Sequence, residues 1–308
     1  MKVSIALCTH NGESYLLEQL KSIESQTRKP DELIVSDDKS SDRTLDILYL
    51  FKKTCEFPMY IYENESKLGS TRNFEKAIQL CGGEIIALSD QDDIWKPDKI
   101  EKIVVEFEKS PDIGYVFSDA ELVDKQLTHI HRRLWESLGF QGVRYRQFVR
   151  GDQFSCLFRK NIVAGATMAF RSSLKNLILP FPLDTAWLHD GWIAIIASSA
   201  GKYGRPLPEP LVLYRQHSGQ QVGAPRKASI LKIFNPGYVF KILKLHLEQM
   251  CEAEERSYPV LKERLTFIET KIGLKTKPVL TLLEKRTVKP MIAQFYKKLT
   301  KTTPRKKP

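Results

Sequence analysis

Apolar and polar positions alternate between two periods along the first 120 residues. Short apolar runs at residues 3–7, 33–35, 59–62, 84–88 and 113–117 have the length and content of buried strands. Between them, apolar residues recur at helical spacing. Leu16, Leu17, Leu20 and Ile23 form one stripe, Leu45 and Leu48 follow a helix start at Ser41, and Phe74, Ala77 and Ile78 share a third face. Ile100, Ile103, Val104 and Phe107 follow Pro97, a residue suited to a first helical turn. This alternation predicts an α/β chain with a Rossmann-like, mainly parallel sheet and flanking helices. From 124 to 160 the periodicity fades into a basic, aromatic stretch, read as loops and a short helix over the sheet. A strand at 164–170, an apolar helix at 191–200 ended by Gly201 and a last strand at 211–214 follow. No strand pattern is visible beyond 224, which predicts a domain over 1–224 and a helical extension over 225–308.

Charge sharpens that boundary. The net charge of the 308 residues is +11, and residues 271–308 hold 12 Lys or Arg against one acid, Glu284. The remainder balances at 36 against 36, so no folded basic face for a nucleic acid is expected. Cys8, Cys55, Cys81, Cys156 and Cys251 form no C-x-x-C pair and read as reduced thiols of a cytoplasmic protein. The short apolar start reads as a first strand rather than a signal peptide. No window approaches the roughly 18 apolar residues that span a bilayer, so a soluble or peripheral protein is expected.

Candidate chemistry gathers at the strand ends, where open parallel sheets bind ligands. Thr9, His10 and Asn11 follow the first strand, Asp37 and Asp38 the second, and Asp90, Gln91, Asp92 and Asp93 the fourth. Neither a P-loop nor a G-x-G-x-x-G fingerprint is present, so phosphates need another counter-charge. Asp90 and Asp92 stand in D-x-D spacing, which in an extended segment puts both carboxylates on one side. Hard oxygen ligands suit Mg²⁺ or Mn²⁺ bridging to a diphosphate.

The segments VSIALCTHNG, DELIVSDDKSSDRT and SDQDDIWKPDKI resemble those of the family 2 inverting glycosyltransferases of the GT-A fold. LHDGWIAIIASSAG and LPEPLVLYRQHSGQQVGA resemble the base helix and closing loop of rhamnosyltransferases of cell-surface polysaccharide synthesis. The resemblance spans about residues 2–224 and implies a nucleoside-diphosphate sugar as donor and a saccharide hydroxyl as acceptor. Thr9 and Asn11 would flank the nucleotide, Asp38 would bond its base, and His10 would lie against the base as a flat ring. Arg72 would approach the nucleotide from a helix start, Asp90 would contact the ribose, and Asp92 would bind the metal. Asp190 would be the general base. His217 would be a further metal ligand or diphosphate contact, with Arg215 beside it. Trp95 is open between stacking on a sugar and plugging the core. Gln141, Arg144 and Tyr145 imitate the Q-x-x-R-W element of processive relatives, but they precede Asp190, so a nonprocessive enzyme is implied.

Near the C-terminus, Val288, Met291, Ile292, Phe295 and Leu299 form an apolar stripe beside Lys289, Lys297, Lys298 and Lys301. Such a helix can lie in an anionic membrane surface, which places the enzyme at the inner face of the plasma membrane with a lipid-linked acceptor. A UDP-hexose or UDP-N-acetylhexosamine donor competes with dTDP-rhamnose. A noncatalytic membrane-surface adaptor is the alternative of another class, and homo-oligomerisation is left open.

Overall fold

Burial on both faces explains why the strands at 3–9, 32–37 and 85–89 read as continuous apolar runs rather than alternating ones. The computed structural model describes residues 1–182, 188–220 and 223. The first half comprises β1 (Val3–Thr9), α1 (Leu16–Glu24), β2 (Glu32–Asp37), α2 (Thr44–Lys52), β3 (Met59–Glu63), α3 (Ser70–Leu80) and β4 (Ile85–Ser89). Its strands are parallel in the order β3-β2-β1-β4, with Ile5 of β1 beside Leu33 of β2 and Ala87 of β4. Leu16, Leu20 and Ile23 from α1 and Leu48 and Phe51 from α2 pack into the core. The polar residues that follow β1, β2 and β4 therefore share one sheet edge.

The second half extends the same sheet with mixed directions. It comprises β5 (Ile94–Trp95), α4 (Lys99–Glu108), β6 (Ile113–Val123), β7 (His129–Arg133), α5 (Leu134–Leu138), α6 (Gly142–Val149), α7 (Gln153–Arg159), β8 (Met168–Arg171), α8 (Lys175–Ile178), α9 (His189–Ser199) and β9 (Tyr203–Arg215). β8 runs antiparallel between β4 and β6, β9 lies parallel to β6, and β5 and β7 pair antiparallel with β9 and β6. Every residue of α9 is buried, which accounts for its apolar sequence.

Three expectations change. Residues 124–160 form a strand and three helices, because Trp135, Phe140 and Phe148 each pack 5.6 Å from Phe117 of β6 while most of the basic residues face outward. The strand expected from 164 begins at Met168, after a 3₁₀ turn at Gly165–Thr167. The last strand starts at Tyr203 rather than 211; Pro206, Pro208 and Pro210 hide its beginning, and its pairing with β6 shifts register there. Cys8, Cys55, Cys81 and Cys156 are free thiols. Among the described residues no helix is long and apolar enough to cross a membrane. The extension expected over 225–308, including the stripe at 288–299, lies outside the described residues.

Candidate active site

A cavity of about 560 Å³ opens where β1, β2 and β4 end, and α9 begins at its wall. Thr9, His10, Asp38, Asp90, Asp92 and Asp190 all line it. Sequence positions up to 181 residues apart thus meet in one space.

The β1 and β2 ends are tied together before any ligand arrives. Thr9 Oγ1 donates to Asp37 Oδ1 at 2.8 Å, and the Asp37 carboxylate also receives the Ser40 amide at 2.8 Å. The His10 amide donates to Gln91 Oε1 at 2.8 Å, and Gln91 Nε2 donates back to the His10 carbonyl at 3.0 Å, which fixes the D-x-D loop to β1. His10 Nε2 lies 2.8 Å from Lys67 Nζ, while its Nδ1 is buried without a partner among the described residues. Asp38 accepts from the amides of Leu68 at 2.6 Å and Gly69 at 2.8 Å, and from Asn64 Nδ2 at 3.2 Å. Its carboxylate shapes the loop into α3 as well as facing the cavity. At the start of α3, Gly69 at φ 82 adopts a conformation that side chains disfavour, and Asn73, not Arg72, reaches the cavity wall.

Four of the expected nucleotide-sugar contacts stand elsewhere. Asn11, at φ 49, accepts from the Ser41 amide at 2.8 Å through its side chain, a local latch that draws it away from the cavity. Arg72 Nη1 donates to both Glu75 oxygens at 2.6 Å, and Glu75 also accepts from the Phe181 amide at 2.7 Å, so Arg72 serves packing of α3. Trp95 is a core residue, 2% exposed, with Lys99 Nζ 3.5 Å from its ring centroid. Arg215 is 1% exposed and acts as a clasp. Its Nε donates to the Asp92 carbonyl at 2.7 Å, its Nη1 to the Lys125 carbonyl at 2.8 Å, and its Nη2 pairs with Glu18 at 2.5 Å, while its backbone amide donates to Asp93 Oδ1 at 3.0 Å. The clasp binds the end of β9 to the D-x-D loop.

Negative charge dominates the floor. Burial, then Asp92 and Asp190, push the Asp90 carboxyl up to about 7, against the opposing charge of Lys99. Burial also raises Asp93 and lowers Lys99, which donates to the Ala166 carbonyl at 2.7 Å. Asp92 Oδ2 lies 2.8 Å from His217 Nε2, so the two expected metal ligands are neighbours. Among the described residues no group of three or more His, Cys, Asp or Glu side chains is arranged to cage a metal. A carboxylate and an imidazole nevertheless fit Mg²⁺ or Mn²⁺ where substrate phosphates and water complete the coordination.

Asp190 lines the same cavity from the first turn of α9. Asn161 Nδ2 donates to its Oδ1 at 3.1 Å and the Gly165 amide to its Oδ2 at 3.0 Å. Next to it, His189 is 5% exposed, stacks on Phe74 at 4.0 Å and finds no hydrogen-bond partner for either ring nitrogen among the described residues. Asn161, Gly165, His189 and Lys99 escaped the sequence reading. Asn161 falls between the stretch where periodicity fades and the next expected strand, Gly165 falls inside that expected strand where the structure has a 3₁₀ turn, and Lys99 lies on a helix face whose burial the apolar stripe alone does not convey.

Comparison with known proteins agrees with this architecture. The model of the family described as "Glycosyl transferase family 2" matches residues 4–177, more than half of the chain, and the chain belongs to that family. An uncharacterized glycosyltransferase of Haemophilus influenzae is 26% identical over 318 residues, covering 98% of this chain and 87% of the relative. The dTDP-rhamnosyl transferase RfbG of Shigella flexneri is 29% identical over 230 residues, covering 71% and 74%. S. aureus TarS, solved with UDP-GlcNAc, superposes with a TM-score of 0.59 at 17% identity, covering 88% of this chain and 73% of that one. The fold is the mixed α/β sheet of the GT-A glycosyltransferases, and the protein is a glycosyltransferase.

Proposed function

We propose that the protein is an inverting, nonprocessive transferase that moves a sugar from a nucleoside diphosphate to a saccharide hydroxyl of a growing, lipid-linked surface polysaccharide. The observation that carries this reading is that Asp190 and Asp92 line one cavity, with His217 held 2.8 Å from the Asp92 carboxylate. In a single displacement the acceptor oxygen attacks the anomeric carbon, its proton passes to the Asp190 carboxylate, and the bond to the diphosphate breaks with its electron pair leaving on oxygen. Asn161 and the Gly165 amide orient Asp190 for that transfer. Asp92 and His217 would hold Mg²⁺ or Mn²⁺, whose charge would offset the negative charge growing on the leaving group.

A dTDP-rhamnose donor is supported by similarity to RfbG, which its name describes as a dTDP-rhamnosyl transferase, and by the resemblance of residues 188–201 and 207–224. A second reading takes a UDP-sugar, since the TarS structure that shares this fold holds UDP-GlcNAc. A noncatalytic adaptor fits less well, because the carboxylates Asp90, Asp92 and Asp190 all face the cavity. The test is a screen of nucleotide sugars that follows nucleoside-diphosphate release with Mg²⁺ or Mn²⁺. Asp190→Asn should lower turnover by roughly 10²–10⁴-fold while donor binding persists. Undiminished turnover removes the base assignment, and absence of saturable donor binding favours the adaptor.

A further inference from the structure

A second depression, about 440 Å³, lies between α5, α6 and α7 and shares no lining residue with the active-site cavity. Arg144, Arg159, Gln141 and Gln147 supply its donors, and Asp152 is its one carboxylate. Lys160 approaches from the α5 side. Arg144 Nη1 donates to the Gly139 carbonyl at 3.1 Å and Lys160 Nζ to the Leu138 carbonyl at 2.6 Å. A methyl group on Gly139 would stand 3.3 Å from Arg144 Nη1 and 4.0 Å from Lys160 Nζ, so two cations converge over one residue.

Like charges held together are unfavourable unless an anion comes between them. Among the described residues no carboxylate forms an ion pair with Arg144, Arg146, Arg150, Arg159 or Lys160. Residues 130–160 hold seven Arg or Lys against two acids, although residues 1–270 balance as a whole. Guanidinium forks and amide donors suit the oxygens of a phosphate. The position suits the acceptor: Leu134 and Leu138 of α5 line the active-site cavity, while Gly139, the next residue, lines the depression.

We propose that this depression is an anion site for a phosphate or diphosphate group, and that it anchors the acceptor while the acceptor's sugar reaches toward Asp190. The acceptor role rests on the transferase reading above; the anion site itself does not. The shared chemistry belongs both to a prenyl diphosphate and to free inorganic diphosphate. Calorimetric titration of the full chain in EDTA, without donor sugar, uses inorganic diphosphate in one arm and geranyl diphosphate in the other. Saturable binding is expected in the wild type. Arg159→Glu, at an exposed position, should weaken it about tenfold or more, as should Arg144→Gln, while a Lys289→Gln/Lys297→Gln variant leaves it unchanged. Tighter binding of geranyl diphosphate identifies the carrier lipid as the source, and equal affinity identifies a soluble diphosphate. No saturable binding in the wild type, or unchanged binding in both arginine variants, overturns the site. Because no turnover is read, either result leaves the donor screen to judge the transferase reading.

Discussion

At the residue scale, the cavity is built around groups whose protonation is costly to change. His189 is buried against Phe74 with neither ring nitrogen partnered among the described residues, and burial lowers its pKa more than the Asp190 charge raises it. As pH falls through about 6.5 the unfolded chain takes up a proton at this imidazole and the folded chain does not. The contribution of His189 to stability is therefore full above that pH and lost below it. Asp90, raised to about 7, acts with the opposite sign, because the folded state is the first to bind its proton as pH falls. A comparison of variants separates the two. His189→Asn should remove the acid-side loss, so its urea midpoint should fall less than the wild type's from pH 7 to pH 5. Parallel midpoint curves would show that the imidazole carries no linkage.

At the scale of elements, one side chain joins parts that the sequence keeps far apart. Arg215, at the end of β9, holds the carbonyls of Asp92 and Lys125 and rests over Tyr15, its guanidinium carbon 4.5 Å from the ring centroid. Removing it leaves two carbonyls unsatisfied, at about 1–3 kcal/mol each if they stay buried. Arg215→Ala should lower the melting temperature and raise the donor KM through a loosened D-x-D loop. Arg215→Lys should rescue little, because one ammonium cannot replace a planar fork with three separate contacts. Thermal melts and donor saturation curves check both, and an unaltered KM would confine Arg215 to stability. The same residue illustrates what could be read in advance. Its place beside His217 was legible, but the direction of its side chain depended on the pairing of β9 with β6 and β5, which local periodicity does not encode. β1, β2, β4 and α1 to α4 were legible because each buries a continuous run or stripe, and β3, an edge strand with only Met59 buried, because its residues are apolar and aromatic. The helices of 134–159 were not, since their aromatic anchors find Phe117 only after the sheet forms. Asp90, Asp92 and Asp190 could be picked out as carboxylates at element ends, whereas Asn161 and Gly165 acquire meaning only through the hydrogen bonds they give to Asp190.

At the scale of the whole molecule, charge is divided in a way that bears on where the enzyme works. The 12 cations and single acid of residues 271–308 would give that segment a charge of about +11, equal to the net charge of the chain. A polysaccharide acceptor carried on lipid favours an enzyme held at the membrane surface, and each Lys or Arg near an anionic leaflet contributes about 1 kcal/mol. The apolar residues between Val288 and Leu299 would add burial at the acyl boundary if they share one helix face. The full chain should therefore float with vesicles containing anionic phosphatidylglycerol, and truncation after residue 270 should abolish most of that binding. Raising the salt should weaken the electrostatic share, because exposed charges are screened over about 10 Å at 0.1 M and about 3 Å at 1 M. Arg146→Gln in α6 and Arg150→Gln just beyond its end, both at exposed positions, distinguish a contribution from the folded domain. If truncated and full chains float equally, the C-terminal segment does not carry membrane binding, and the basic surface of residues 130–160 becomes the candidate to test.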